Sequence, residues 1–253
     1  MNQRCGNFIA AKSTATGARE NNQDRGFFLS DGATLLLGIA DGLGGHPRGE
    51  VAAQLLADVC ETQFRRRSRP LEGPEEFMLD CVGHAHHAIR RFGERQRPPI
   101  TPRTTAVLAV VQENRARWAH VGDSRLYLYR DKQLLLQTRD HSQTQYIRQT
   151  VDEPPRARTS LTRCLGGLPR PPTTTCSTPL SLQPGDSLLL CSDGLWSQTP
   201  EPQIAALFDG KPDDLESRLQ QLVQQAAAVT ASDNVTAVAL SWLGQAAAPT
   251  DAN

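Results

Sequence analysis

The chain alternates between short apolar runs of strand length and longer stretches with helical periodicity. Residues 35–40 (Leu-Leu-Leu-Gly-Ile-Ala) and 188–191 (Leu-Leu-Leu-Cys) are unbroken apolar runs and read as buried strands. Further strands are expected at 7–12 and 26–30, flanking the polar loop Arg19-Glu20-Asn21-Asn22-Gln23-Asp24. Residues 47–67 carry Val51, Leu55, Leu56, Val59 and Phe64 at helical spacing, and the basic run at 65–67 suits a solvated helix end. Pro74-Glu75-Glu76 opens a second predicted helix to about residue 95, proline being well placed in a first turn. From Thr104 the period shortens. Segments 104–112, 115–121, 125–130 and 134–138 are rich in β-branched and apolar residues, and their short connections imply antiparallel hairpins.

Between residues 140 and 179 the pattern weakens. A short helix is expected near 144–149, followed by proline- and glycine-rich connections, and an irregular segment of that length is usually functional or mobile. Strand character returns at 186–192. Two amphipathic helices follow at 200–208 and 213–229, the second with Leu215, Leu219, Leu222 and Val223 on one face, before a final strand at 235–243. No fixed-period repeat or interdomain linker interrupts residues 1–243, so one domain is expected, with 244–253 a disordered tail.

Composition narrows the function by exclusion. Lys+Arg and Asp+Glu each number 27, so no overall field favours nucleic acid or an anionic membrane. No apolar run is long enough to span a bilayer and no export signal opens the chain, which together point to the cytoplasm. The six cysteines are dispersed without a C-x-x-C pair and are expected as reduced thiols, several in the core. His84 and His87 could share a helix face, but no third ligand follows, so His84, His86 and His87 read as a surface patch.

The chemistry lies where apolar runs end in carboxylates. Ile39-Ala40-Asp41-Gly42-Leu43-Gly44-Gly45 ends a strand on a charge followed by a glycine-rich turn. Cys191-Ser192-Asp193-Gly194 repeats the design, Val121-Gly122-Asp123 is a third version, and Ser232-Asp233-Asn234 precedes a strand. Such carboxylates are costly to desolvate unless paired or holding metal. With Asp24 nearby and the Gly42 carbonyl as a further oxygen, they suit two or three magnesium or manganese ions, which can activate water for attack on phosphorus. Arg19 offers a planar fork for phosphoryl oxygens, although taken alone it reads first as a surface ion pair with Glu20 or Asp24. Pro47 stands where a dinucleotide fingerprint requires glycine.

In this order the elements resemble the metal-dependent serine/threonine protein phosphatases of the 2C type. The resemblance runs from about residue 11 to 243 and is carried by eight short patterns. These are Arg19 with Asn22-Gln23-Asp24, the glycine-rich turn at Asp41, Thr104-Thr105-Ala106-Val107, Gly122-Asp123-Ser124-Arg125, Asp140-His141-Ser142, Leu161-Thr162-Arg163, Ser192-Asp193-Gly194 and Ser232-Asp233-Asn234. The resemblance implies an α+β fold, a four-layer α-β-β-α sandwich with two antiparallel sheets face to face and helices outside. It implies hydrolysis of phosphoserine and phosphothreonine by water activated between two divalent ions. Asp41 would bridge those ions, with the Gly42 carbonyl on one and Asp193 and Asp233 on the other. Asp123 would join Asp193 at a weaker third ion, Asp24 would support the metal shell, and Arg19 would clamp the phosphate. Residues 142–160 match the family's flap beside the cleft. The implied partners are a phosphoprotein substrate and a counteracting Ser/Thr kinase, with the enzyme acting as a monomer.

The departures are local. Leu43 stands where animal members carry a histidine, Gln23 replaces a common acidic residue, Arg103 replaces a usual glycine, and Ser197 replaces an aspartate found in some relatives. His46 has no assigned role, and the flap is short. A catalytically silent binding module and a hydrolase of small phosphoesters are the alternatives.

Overall fold

A computed structural model of the protein describes residues 3–32, 34–147 and 156–243. The first half comprises β1 (Gln3–Cys5), β2 (Phe8–Ala15), β3 (Arg25–Asp31), β4 (Thr34–Ala40), α1 (Gly49–Arg66), α2 (Pro74–Arg95), β5 (Ala106–Gln112) and β6 (Arg115–Val121). Then come β7 (Arg125–Arg130), β8 (Gln133–Gln137), β9 (Ser142–Ile147), β10 (Arg156–Leu161), β11 (Thr175–Cys176), β12 (Leu180–Ser181) and β13 (Ser187–Cys191). The chain closes with α3 (Asp193–Trp196), α4 (Glu201–Ala206), α5 (Leu215–Ala227) and β14 (Val235–Trp242). One sheet has the strand order β1-β2-β14-β13-β7-β8 and the other β11-β6-β5-β4-β3, with β12 also on β6. The paired strands in both are antiparallel.

The two-residue period of a strand explains the layering. Every residue of β4 is buried, and its alternate side chains enter different cores. Leu35, Leu37 and Ile39 meet Val107 and Ala109 of β5, Leu126 and Leu128 of β7, Leu188 and Leu190 of β13, and Val238 of β14 between the sheets. Leu36 and Ala40 point the other way, beneath Leu56 and Cys60 of α1 and Phe77, Met78 and Ile89 of α2. On the opposite outer face Tyr127, Leu189 and Ala237 lie under Leu215, Leu219 and Val223 of α5. Burying a Leu, Ile or Val contributes about 1.5–3 kcal/mol, so three such cores hold the four layers together.

Three expectations change. Residues 142–147 form a strand paired with β10, from Ser142–Leu161 to Ile147–Arg156, where a short helix was expected. The β-branched Thr144 and Ile147 and the aromatic Tyr146 have strand propensity, which favours an extended chain over a helix too short to propagate. The irregular segment after residue 140 therefore contains a hairpin and two short edge strands. His86 is buried rather than part of a surface patch, because it shares the inward face of α2 with Val82 and Ile89, and its Nδ1 accepts the Gly166 N–H at 3.2 Å. Cys5, Cys60, Cys81 and Cys191 are buried, and among the described residues the six cysteines form no disulfide. Among the described residues no helix is long and apolar enough to cross a membrane. Pro154-Pro155 and the 244–253 tail lie outside the described residues.

Candidate metal and phosphate site

Strand register brings the carboxylates together. Arg25, which follows Asp24, pairs with Ala40, which precedes Asp41, so those two aspartates leave the same end of the β3–β4 ladder. Val121 pairs with Ala106 at that end of the neighbouring ladder, which delivers Asp123 two residues later. In the other sheet Cys191 pairs with Ala237, so Asp193 and Asp233 emerge side by side. Asp41, Asp123, Asp193 and Asp233 line one pocket of about 290 Å³ together with Gly42, Leu43 and His46.

The backbone around Asp41 is held from several directions. Its N–H donates to Thr105 Oγ1 at 3.1 Å, and its carbonyl accepts both the Thr104 hydroxyl and the Thr105 N–H at 2.9 Å. A Cβ at Gly42 would fall 2.5 Å from the Gly49 carbonyl, so only glycine allows the turn to pack onto the start of α1. Asp193 begins α3, where a carboxylate also suits the helix N-terminus. Asp233 caps its own turn, its Oδ1 accepting the Asn234 N–H at 2.7 Å. Asp24 is 4% exposed, beneath the pocket lining, with its Oδ2 accepting the Ser192 hydroxyl at 2.7 Å.

These groups repel one another in a partly dry setting. Burial, then repulsion from Asp24, Asp193, Asp123 and Asp233, raises Asp41 well above the ordinary carboxylate value. Burial likewise pushes Asp24 up to about 7, with hydrogen bonds from Ser192 and Thr236 opposing it and Asp193 and Asp233 adding to it. Asp123 also rises to about 7, through burial and then Asp193 and Asp140. Asp193 rises through burial and Asp233, while a hydrogen bond with Asp41 opposes the shift. A group of oxygens that resists ionising until countercharge arrives has the donor chemistry of a hard divalent-cation site. Among the described residues no three Asp, Glu, His or Cys side chains close a cage around one point. The open arrangement fits magnesium or manganese, which retain several waters.

Arg19 takes neither of its expected partners. Its Nη2 donates to Asp233 Oδ2 at 2.7 Å, replacing the anticipated pairing with Glu20 or Asp24, and both side chains are about half exposed. A Cβ at Gly44 would lie 3.3 Å from Arg19 Nη1, so the guanidinium stands over the glycine-rich turn. The loop bearing Arg19 is tied down by Asn234, which the sequence marks only as the neighbour of an aspartate. Asn234 Oδ1 accepts the Gln23 N–H, and Nδ2 donates to the Thr16 and Asn21 carbonyls. Ser192 and Thr105 serve the site in the same indirect way. Their signal was adjacency to an aspartate or membership of a motif, neither of which reveals a hydrogen-bond partner.

Leu43 and His46 both line the pocket, and burial followed by Arg103 lowers the His46 pKa. The flap hairpin β9–β10 contributes Thr159 and Leu161 to the same wall.

Comparison with known proteins agrees with this architecture. The chain is 28% identical over 229 residues to the serine/threonine phosphatase stp of Listeria monocytogenes, covering 86% of this chain and 89% of that protein. Its structure is similar to the catalytic domain of the serine/threonine phosphatase PstP in complex with two manganese ions. That match has a TM-score of 0.73 and 29% identity, covering 94% of this chain and 99% of that one. The Streptococcus agalactiae serine/threonine phosphatase matches in fold with a TM-score of 0.79 at 23% identity, covering 93% and 99% of the two chains. The pattern of the protein phosphatase 2C family matches residues 14–240, and the chain belongs to that family.

Proposed function

We propose that this chain is a metal-dependent protein serine/threonine phosphatase whose catalytic domain spans residues 1–243. The observation that carries the reading is the convergence of Asp41, Asp123, Asp193 and Asp233 on one pocket, with Asp24 buried beside them, in a chain of this family. Asp41, Asp193, Asp233 and the Gly42 carbonyl would hold two core ions, Asp123 with Asp193 a weaker third, and Asp24 would support the shell. Manganese or magnesium bound there would supply an activated water and charge stabilisation for attack on phosphorus. Arg19, anchored by Asp233, directs its remaining N–H groups to the phosphoryl oxygens. The rigid backbone around Asp41 keeps its carboxylate from relaxing out of the site as charge builds up.

The substrate is a phosphoprotein, and the enzyme opposes a Ser/Thr kinase as a cytoplasmic monomer. Retention of every aspartate in the set argues against a silent binding module. The test is hydrolysis of phosphoserine and phosphothreonine peptides with manganese, with magnesium and with excess chelator, beside a panel of sugar phosphates. Turnover of the peptides that stops on metal removal and returns on addition is expected. Full activity in chelator after verified metal removal would refute the metal role, and preference for the sugar phosphates would refute the protein substrate.

A further inference from the structure

A second cleft, of about 870 Å³, opens behind the flap hairpin and is about three times the size of the aspartate pocket. It lies where the two sheets present their edges. One wall is the end of β8 and the chain running on to Ser142, and the other is the segment carrying β11 and β12. Trp118 and His120 of β6 line it, with His120 stacked on His141 at 4.5 Å between ring centroids. The root of the flap is a shared partition. Thr159 and Leu161 line the aspartate pocket, and the next residue, Thr162, lines the second cleft.

The charge of this cleft is one-sided. Arg139 and Arg163 line it, and among the described residues neither has a carboxylate partner. Its single carboxylate, Asp140, is neutralised by Arg125, whose Nε and Nη2 each donate to it at 2.8 Å. Among the described residues Arg163 makes only long contacts, from Nη1 to His141 Nε2 and the Thr173 carbonyl at 3.3 Å and to Thr175 Oγ1 at 3.4 Å. Trp118, Leu136 and Leu180 add an apolar side. A lone phosphate needs far less room, whereas an extended peptide can lie between two strand edges and use their unpaired backbone groups.

We propose that this cleft docks an acidic segment of the phosphoprotein substrate that flanks the phosphorylated residue, with Arg139 and Arg163 as the specificity-determining charges. The proposal rests on the phosphatase reading, because the adjacent residues Leu161 and Thr162 at the flap root line the aspartate pocket and the second cleft respectively. Residues beside the phosphate are thereby read by charge, outside the catalytic pocket.

The test uses the metal-loaded enzyme and its Arg139→Glu and Arg163→Gln variants on three substrates: a phosphothreonine peptide with acidic flanks, the same peptide with basic flanks, and p-nitrophenyl phosphate. Each variant is expected to lower kcat/KM on the acidic peptide about tenfold, mainly through KM, and to spare p-nitrophenyl phosphate. Equal response of the acidic and basic peptides would overturn docking, and so would a matching fall on p-nitrophenyl phosphate. Wild-type enzyme inactive on all three would count against the phosphatase reading instead. Binding of the unphosphorylated acidic peptide, followed by calorimetry, then decides the cleft separately: binding weakened by Arg139→Glu supports it, and no binding to the wild type overturns it.

Discussion

Replacing Asp24 by Asn in the metal-stripped protein should stabilise it, and by an amount set by pH. Asp24 is almost wholly buried and its carboxyl rises from 3.8 to about 7 on folding. Below the lower value both folded and unfolded chains are protonated and burial carries no ionisation cost. Between the two values the unfolded chain ionises and the folded one does not, so stability falls as pH rises. Above the upper value the penalty is complete. At roughly 1.4 kcal/mol per pH decade, the wild type should have lost about 4 kcal/mol by about pH 8 and only about 1 kcal/mol at about pH 4.5. Asn avoids that cost and keeps an oxygen to accept the Ser192 hydroxyl, now at 2.7 Å from Asp24. Urea unfolding of chelator-treated wild type and Asp24→Asn at both pH values measures the gap. Saturating manganese should shrink or reverse it, because the cation supplies the missing countercharge and binds the folded state. A variant no more stable than wild type near pH 8, or an equal gap at both pH values, would show that Asp24 is not held against its own ionisation.

Asp41→Ala, Asp193→Ala and Asp233→Ala should each lower kcat by orders of magnitude while circular dichroism stays native; near wild-type turnover in one of them would remove that residue from the ligand set. Arg19→Ala gives up a charge-assisted contact of about 1.5–3 kcal/mol, so kcat/KM should fall about tenfold to a hundredfold, and Lys should restore only part because it lacks the fork. An unchanged kcat/KM would leave Arg19 as no more than a surface partner of Asp233. Gly194→Ala would put a Cβ 2.1 Å from the Asn234 carbonyl, so α3 and the root of β14 must separate. A loss of about 1–3 kcal/mol in thermal or urea unfolding is expected, and an unaltered transition would contradict that packing.

Hydrophobic periodicity made much of the fold legible in the sequence. Leu35 to Ala40 and Leu188 to Cys191 are strands because nothing polar interrupts them, and Leu215, Leu219, Leu222 and Val223 share the buried face of α5. It failed where an element owes its form to a distant partner. Ser142–Ile147 is extended because Arg156–Leu161 lies beside it, and Thr175 and Leu180 are strand residues only because β6 has a free edge. His86 is polar by composition and buried by position. The aspartates could be picked out because each ends or begins an apolar run. The pairing of Arg19 with Asp233 could not, since 214 residues separate them.

The place of β14 has a consequence for how this protein comes into being. It lies between β2 and β13, the strand nearest the end of the described chain inserted beside one near the beginning. Until residues 235–242 leave the ribosome, β2 has no neighbour on that side and Asp233 has no fixed position. An emerging chain can stack β4 to β6 under α1 and α2, yet it cannot assemble the pocket. Catalytic competence is therefore expected in one late step rather than by degrees, and a stop codon ahead of residue 235 would leave a half-built sandwich with an open strand edge instead of a slow enzyme.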